Sequence, residues 1–258
     1  MTISTPMRKT KMRANERFLQ SLCYMNSEMI KDKKADKPWR YTNVKKRYAT
    51  FEEARKHNRL TNCVTGVQMG LLMAGLPSGI NHWYGSQGKI VYTSDKGKKV
   101  VPQYFEIKHP NKTTQTLYKN GELCDGDILI FCGMNHTNAY YSGDKVFDSG
   151  HAFCTPKSGE MTVFNKWIGK LTYKTAKVGT ILRLKDRARY RVQCGAYNSY
   201  DKYTEQANRI KAKGFPVTCI EEDGMYKVQV GYFSGKTNAD RYAEKVKAAG
   251  IDCFVMEI

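Results

Sequence analysis

Phe18, Leu22, Met25 and Met29 recur at three- and four-residue steps, which is the spacing of one face of an α-helix, so a helix is predicted over residues 15–30. The polar run Lys31–Lys37 ends it. A second short helix is predicted over Phe51–Asn58. In residues 62–75, Val64, Val67 and Leu71 share one helical face, Asn62 is placed to cap the first turn, and Gly75 with Pro77 closes the helix. The stretch near 79–100 is glycine-rich and reads as irregular, and Thr113–Lys119 reads as one more short helix. After that the pattern changes to strands. Asp127–Cys132 and His136–Tyr141 read as strands, and the Ser-Gly-Asp-Lys turn at 142–145 leads into Val146–Asp148 as a hairpin. Helices first and antiparallel strands after make an α+β arrangement. Thr172–Ala188 is mostly polar and basic and reads as a boundary, so 1–171, 172–188 and 189–258 are the expected first domain, linker and second domain.

The tail carries an internal repeat. Arg191-Val-Gln-Cys-Gly-Ala-Tyr197 returns as Lys227-Val-Gln-Val-Gly-Tyr-Phe233 at an offset of 36, and Ala207, Lys211 and Gly214 meet Ala243, Lys247 and Gly250 at the same offset. Each unit reads as strand, helix, glycine stop and strand. Two units make βαββαβ, a ferredoxin-like split sheet with both helices on one face. Strand alternation then places Val192, Cys194, Ala196, Val228, Val230 and Tyr232 toward the helices. Gln193, Gly195 and Tyr197, with Gln229, Gly231 and Phe233, are expected on the open face.

Composition narrows the possible classes. The net charge is +19, and 32 of the 43 basic but only 15 of the 24 acidic residues precede Arg189, so the first domain is the basic one. Such a surface suits a polyanion: nucleic acid, anionic lipid or an acidic wall. No run of about eighteen apolar residues exists, and membrane insertion is not expected. The start has basic residues with no apolar stretch behind them, so no signal peptide is expected and the chain is expected in the cytoplasm before release. The eight cysteines, at 23, 63, 124, 132, 154, 194, 219 and 253, form no Cys-x-x-Cys pair. Reduced thiols and no metal or other cofactor are therefore expected.

Chemistry enters at Cys63. A thiol in the first turn of a helix sits at the positive end of the macrodipole, which favours the thiolate, and a histidine on a facing strand can complete its activation. His136 opens such a strand. Asp148, twelve residues on and across the hairpin, could hold the other imidazole nitrogen, with His151 as the rival for that role. His57, His82 and His109 lack such context and read as structural or exposed.

Asn62-Cys63 opening a helix, Gly126-Asp127-Ile-Leu-Ile-Phe before a strand, and His136 opening the next one resemble the NlpC-type family of papain-like cell-wall peptidases. His-Thr-Asn-x-Tyr followed by Phe-Asp-Ser-Gly-His is similar to clostridial phage lysins. The resemblance covers roughly residues 38–155. The sequence departs from the family pattern at Asn62, where aspartate is usual, and at Val64-Thr65, where Ser-Gly is usual. The resemblance implies a papain-like fold with Cys63 as nucleophile, His136 as base and Asp148 as the orienting group. Trp39 and Tyr41 lie upstream, where relatives place a tyrosine near the oxyanion site. The repeat at 189–258 resembles a SPOR domain, which binds peptidoglycan. Its Val-Gln-x-Gly-x-aromatic strand occurs twice and makes Gln193, Tyr197, Gln229 and Phe233 the candidate substrate-binding residues.

Taken together, these readings describe a peptidoglycan hydrolase of phage-endolysin type. A papain-like domain would cut an amide of the stem-peptide region without a metal, and a SPOR domain would hold the glycan. Amidase and endopeptidase action both stay open, because they use the same three residues. The alternative is a noncatalytic wall- or division-associated binding protein. A nucleic-acid partner is not expected, since the tail lacks the paired aromatic motifs of RNA-binding split sheets and its own charge is near neutral.

Overall fold

The structure, a computed structural model, describes residues 12–43, 47–150, 162–186, 189–233 and 235–258. The chain runs α1 (Ala14–Lys34), β1 (Arg40–Tyr41), α2 (Phe51–His57), β2 (Leu60–Thr61), α3 (Cys63–Met73), a 3-10 turn (Ser78–Asn81), β3 (Trp83–Ser86), β4 (Lys89–Tyr92) and α4 (Asp95–Tyr104). It continues as β5 (Phe105–Lys108), β6 (Lys112–Thr113), α5 (Thr114–Lys119), β7 (Ile128–Phe131), β8 (Thr137–Ser142) and β9 (Lys145–Phe147). Then come β10 (Thr162–Val163), β11 (Ile168–Lys170) and β12 (Lys177–Leu184). The tail is β13 (Tyr190–Tyr197), α6 (Tyr200–Ala212), β14 (Thr218–Glu222), β15 (Met225–Phe233), α7 (Lys236–Ala248) and β16 (Phe254–Glu257).

An antiparallel sheet in the order β11-β9-β8-β7-β12-β5, with β6 beside β12, organises the first part of the chain. Ile128 and Ile130 of β7 join Phe18, Leu22 and Met25 of α1 and Val67 and Leu71 of α3 in one core. Leu129 and Phe131, the alternate residues, join Leu117 of α5, Tyr140 and Val146 in a second. A strand buried on both faces reads as a continuous apolar run, which is why Ile-Leu-Ile-Phe shows no polar alternation. The periodic residues of α1 are completely buried, as their spacing requires.

Two expectations need correction. The stretch near 79–100 is not irregular: β3 and β4 form a hairpin and α4 follows. Its turn, Gln87-Gly88, has φ +51 and +80, the left-handed pair that matches strand twist. Strands of four residues carrying glycine, serine and lysine gave too little alternation to read. The expected linker 172–188 holds β12, which pairs with β7 on one side and β5 on the other. Its charge misled the reading. Arg183 is buried because Asp127 accepts from its Nε at 2.7 Å and from its Nη2 at 2.5 Å, and the Glu122 carbonyl accepts from Nη2 as well. A paired, hydrogen-bonded guanidinium is tolerated inside a sheet where a lone one is not.

The tail forms a four-stranded sheet, β14-β15-β13-β16, and α6 and α7 pack against its Val192, Val228 and Val230. That is the split βαββαβ arrangement of the repeat. Among the described residues no helix is long and apolar enough to cross a membrane.

Candidate active site and candidate ligand face

Asn62 caps α3, its Oδ1 accepting from the Thr65 N–H at 2.9 Å, and this sets Cys63 in the first turn. Gly66, one turn on, lets α3 come close to the end of the hairpin, since a Cβ there would lie 2.9 Å from Ser149 Cβ. Ser149 donates in turn to the Asn62 carbonyl at 2.7 Å. These two contacts hold the helix start beside the residues that follow β9. The Cys63 thiol is 3.9 Å from the Asn135 carbonyl oxygen and near enough to His136 to help raise the pKa of the ring.

His136 is nearly buried, and its Nε2 lies 3.1 Å from Asp148 Oδ2. With Nε2 engaged, Nδ1 is the nitrogen left for the thiol. Asp148 is itself fully buried: its Oδ1 accepts from the Gly150 N–H at 2.8 Å, and Thr172 donates to Oδ2 at 3.4 Å. Burial opposes the imidazolium, but the charge and hydrogen bond of Asp148, reinforced by Cys63, outweigh it and push the His136 pKa up to about 10. The arrangement sets the Cys63 thiol beside an imidazole held in its charged form by Asp148. The Cys63, His136 and Asp148 of the sequence reading thus meet in one place. His151 lies outside the described residues.

A cleft of about 480 Å³ opens beside His136, bordered by Tyr41, Asn43, Met134, Asn135 and Tyr173. The Tyr41 hydroxyl donates to Asn43 Oδ1 at 3.1 Å. Trp39 has a different role. Its ring stacks on Phe51 at 4.8 Å, and its Nε1 donates to Asp32 at 3.0 Å, so it belongs to the core. Of the two upstream aromatics, only Tyr41 borders the cleft. Tyr173 was missed by the sequence reading: it sits in the expected linker, at φ +50, with its ring 4.6 Å from that of His136. A left-handed tyrosine is a strained backbone, and strain of that kind concentrates at functional sites. His57 stacks on Tyr48, and His82 bonds Ser94, in structural roles.

The tail sheet offers the second candidate site. Thr218, Gln229, Gln193 and Phe254 are direct partners across four strands and so share one face. Gln193 and Gln229 are 5% and 8% exposed, yet among the described residues the Oε1 of each has no hydrogen-bond partner. Arg191, on the same face, donates to Glu222 at 2.6 Å, and Lys227 donates to the same carboxylate at 2.7 Å.

The strict alternation expected here fails. The β13–β15 register shifts on both sides of Gln193, and Gly195 takes φ +139. Tyr197 and Phe233 consequently pack on the helix-side core, with the Phe233 ring 5.2 Å from Tyr242 of α7. Ala196 is exposed instead, and Tyr232, the partner of Arg191, is 50% exposed. The aromatics of the open face are Tyr232 and Phe254, not Tyr197 and Phe233. The two glutamines are where the repeat placed them.

Residues 186–257 match the family model of the SPOR domain. The C-terminal module is a SPOR domain, and the match includes no residue before 186. A solved structure described as "Solution structure of the peptidoglycan binding domain of B. subtilis cell wall lytic enzyme CwlC" is 41% identical, over 28% of this chain and 90% of its own, with a TM-score of 0.26. No curated protein matches the chain.

Proposed function

We propose that the protein is a cysteine-dependent peptidoglycan hydrolase. Its SPOR domain binds peptidoglycan, and the N-terminal domain, papain-like and of NlpC type, cuts an amide of the stem-peptide region. The SPOR match and the 41% identity to a peptidoglycan-binding domain support the first half. The second half is carried by one observation: Asp148 holds through Nε2 a histidine that lines a cleft, and the other ring nitrogen is left for the helix-start thiol of Cys63.

The chemistry follows from that geometry. The Cys63 thiolate attacks the amide carbonyl carbon, and charge moves to the oxygen. Backbone N–H groups at the start of α3 meet that oxyanion. Collapse breaks the C–N bond, and the leaving amine takes the proton of the His136 imidazolium, leaving a thioester. Water then attacks the thioester carbon and gives its proton to His136. The acid departs, and the thiolate–imidazolium pair is restored. Asp148 keeps the tautomer and stabilises the imidazolium at each stage. The same machinery serves an amidase at the sugar–peptide junction or an endopeptidase within the stem.

Purified wall incubated with the protein and with its Cys63→Ala form tests this reading, with mass spectrometry of released muropeptides naming the bond. Release by the wild type and none by the variant is expected. No release by either, with binding intact, leaves a noncatalytic wall-binding protein.

A further inference from the structure

The two halves of the SPOR repeat differ where their helices begin. At the offset of 36, Ser199, Asp201, Lys202 and Glu205 of the first unit become Gly235, Thr237, Asn238 and Arg241 of the second. Every one of these four positions in α7 meets the N-terminal domain, at the segment Tyr118–Asp125 that leads from α5 toward β7. Asn238 is 8% exposed and gives its amide Nδ2 to two backbone carbonyls, those of Gly121 at 3.1 Å and of Leu123. Thr237 donates its hydroxyl to Asp125 Oδ2 at 3.2 Å, and its backbone N–H favours the charged form of the same carboxylate. Arg241 reaches the Tyr118 carbonyl at 3.3 Å, and its guanidinium lies 4.6 Å over the Tyr118 ring.

Gly235 explains how the approach is possible. A Cβ there would lie 3.3 Å from the Asp125 nitrogen and 3.5 Å from Cys124 Cα, so the serine of the first unit would crowd this backbone in the second. Gly235 has no side chain with which to cap α7, and α7 has no acidic residue in its first turn. Asp125 supplies both from the other domain. The connector agrees. Only five residues separate β12 from β13, and Asp186 among them accepts from the Ala14 N–H at 3.0 Å and the Asn15 N–H at 3.2 Å at the start of α1.

We infer that the second repeat unit is a docking device, which seats α7 on the Tyr118–Asp125 segment and makes the SPOR domain a fixed part of the molecule rather than a tethered anchor. The first unit keeps the ordinary exposed helix start. The open sheet face and the Cys63 cleft are then held at one spacing, so a captured strand is presented to the cleft at a set distance from its anchoring point. That consequence rests on the hydrolase reading; the docking does not.

The test grafts the first unit's residues onto the second in the full chain, as Gly235→Ser, Thr237→Asp, Asn238→Lys and Arg241→Glu together. Nitrogen-15 relaxation then reads the tumbling time of each domain. In the wild type one tumbling time is expected for both. The graft is expected to release the SPOR domain to tumble at least about two-fold faster, with its glycan binding unchanged. A second variant approaches from the other side: Asp125→Lys is expected to undock, and adding Thr237→Asp to restore docking by reversed charge. Separate tumbling in the wild type, or common tumbling in both the graft and Asp125→Lys, overturns the inference. A protein that docks as described but releases nothing from the wall has lost the hydrolase reading alone.

Discussion

The candidate active site and the tail sheet face solve opposite problems with polar side chains. At Cys63 and His136, groups from a helix and two strands converge, and every polar atom of Asp148 is engaged. On the tail sheet, Gln193 and Gln229 are as buried as His136, yet each leaves a carbonyl oxygen unpaired. A fully engaged cluster holds one geometry and is ready for chemistry. An unpaired amide oxygen carries a standing cost, roughly 1–3 kcal/mol, that a bound hydroxyl or N–H group can relieve. The comparison separates a cluster held in one geometry from a face that leaves polar atoms open to a ligand.

The largest effect expected is at the nucleophile. Cys63→Ala should lower muropeptide release by at least about 10⁴-fold while wall binding stays the same, because the attacking atom is gone and little volume changes. Release within a few-fold of wild type would remove the reacting half of the contrast. Next comes the engaged carboxylate. Asp148→Asn should slow release on the order of 10–100-fold and bring the His136 titration down from about 10, as read by NMR of the ring. The folded pKa of His136 is raised above the unfolded 6.5, so its contribution to stability is complete below that pH and is lost as pH rises through about 10. The alkaline fall in melting temperature should therefore be smaller in Asp148→Asn than in wild type.

On the receiving side, Gln193→Ala with Gln229→Ala should weaken glycan binding about 10-fold, with melting temperature held or raised, since two orphan oxygens are removed. Unchanged binding by the folded double variant would place the glycan elsewhere. The smallest effects sharpen the corrected face. Tyr232→Ala and Phe254→Ala should each weaken binding a few-fold with little loss of stability, since both rings are half exposed. Tyr197→Ala and Phe233→Ala should do the reverse, costing roughly 1–3 kcal/mol of stability, measured by denaturant unfolding, for rings packed on the helix side.

Both sites were partly legible beforehand. Cys63 could be found because a cap, an apolar stripe and a glycine stop bracket a short helix. His136 and Asp148 could be found because a Gly-Asp turn closes a hairpin locally. Tyr173 could not be found, because nothing near it in the chain announces a left-handed tyrosine whose ring packs at a tilt against a histidine 37 residues earlier. The glutamine pair followed from the repeat. Its aromatic neighbours did not, because the register shifts on either side of Gln193 reverse which side the following residues face.

The sequence by itself determined what depends on neighbours a few residues away. The capped α3, the hairpin behind His136 and the doubled strand–helix–strand unit all follow from spacing and from glycine and asparagine placement. The tertiary structure decided where charge could be buried and where faces meet. Arg183 enters the centre of a sheet only because Asp127, 56 residues before it in the chain, neutralises it there. α7 is capped by a carboxylate 112 residues before Thr237, and the two glutamines lie side by side although 36 residues apart. Local periodicity reports the preference of a segment for helix or strand. Desolvation and pairing depend on which segments the fold brings into contact, and no window along the chain contains that information.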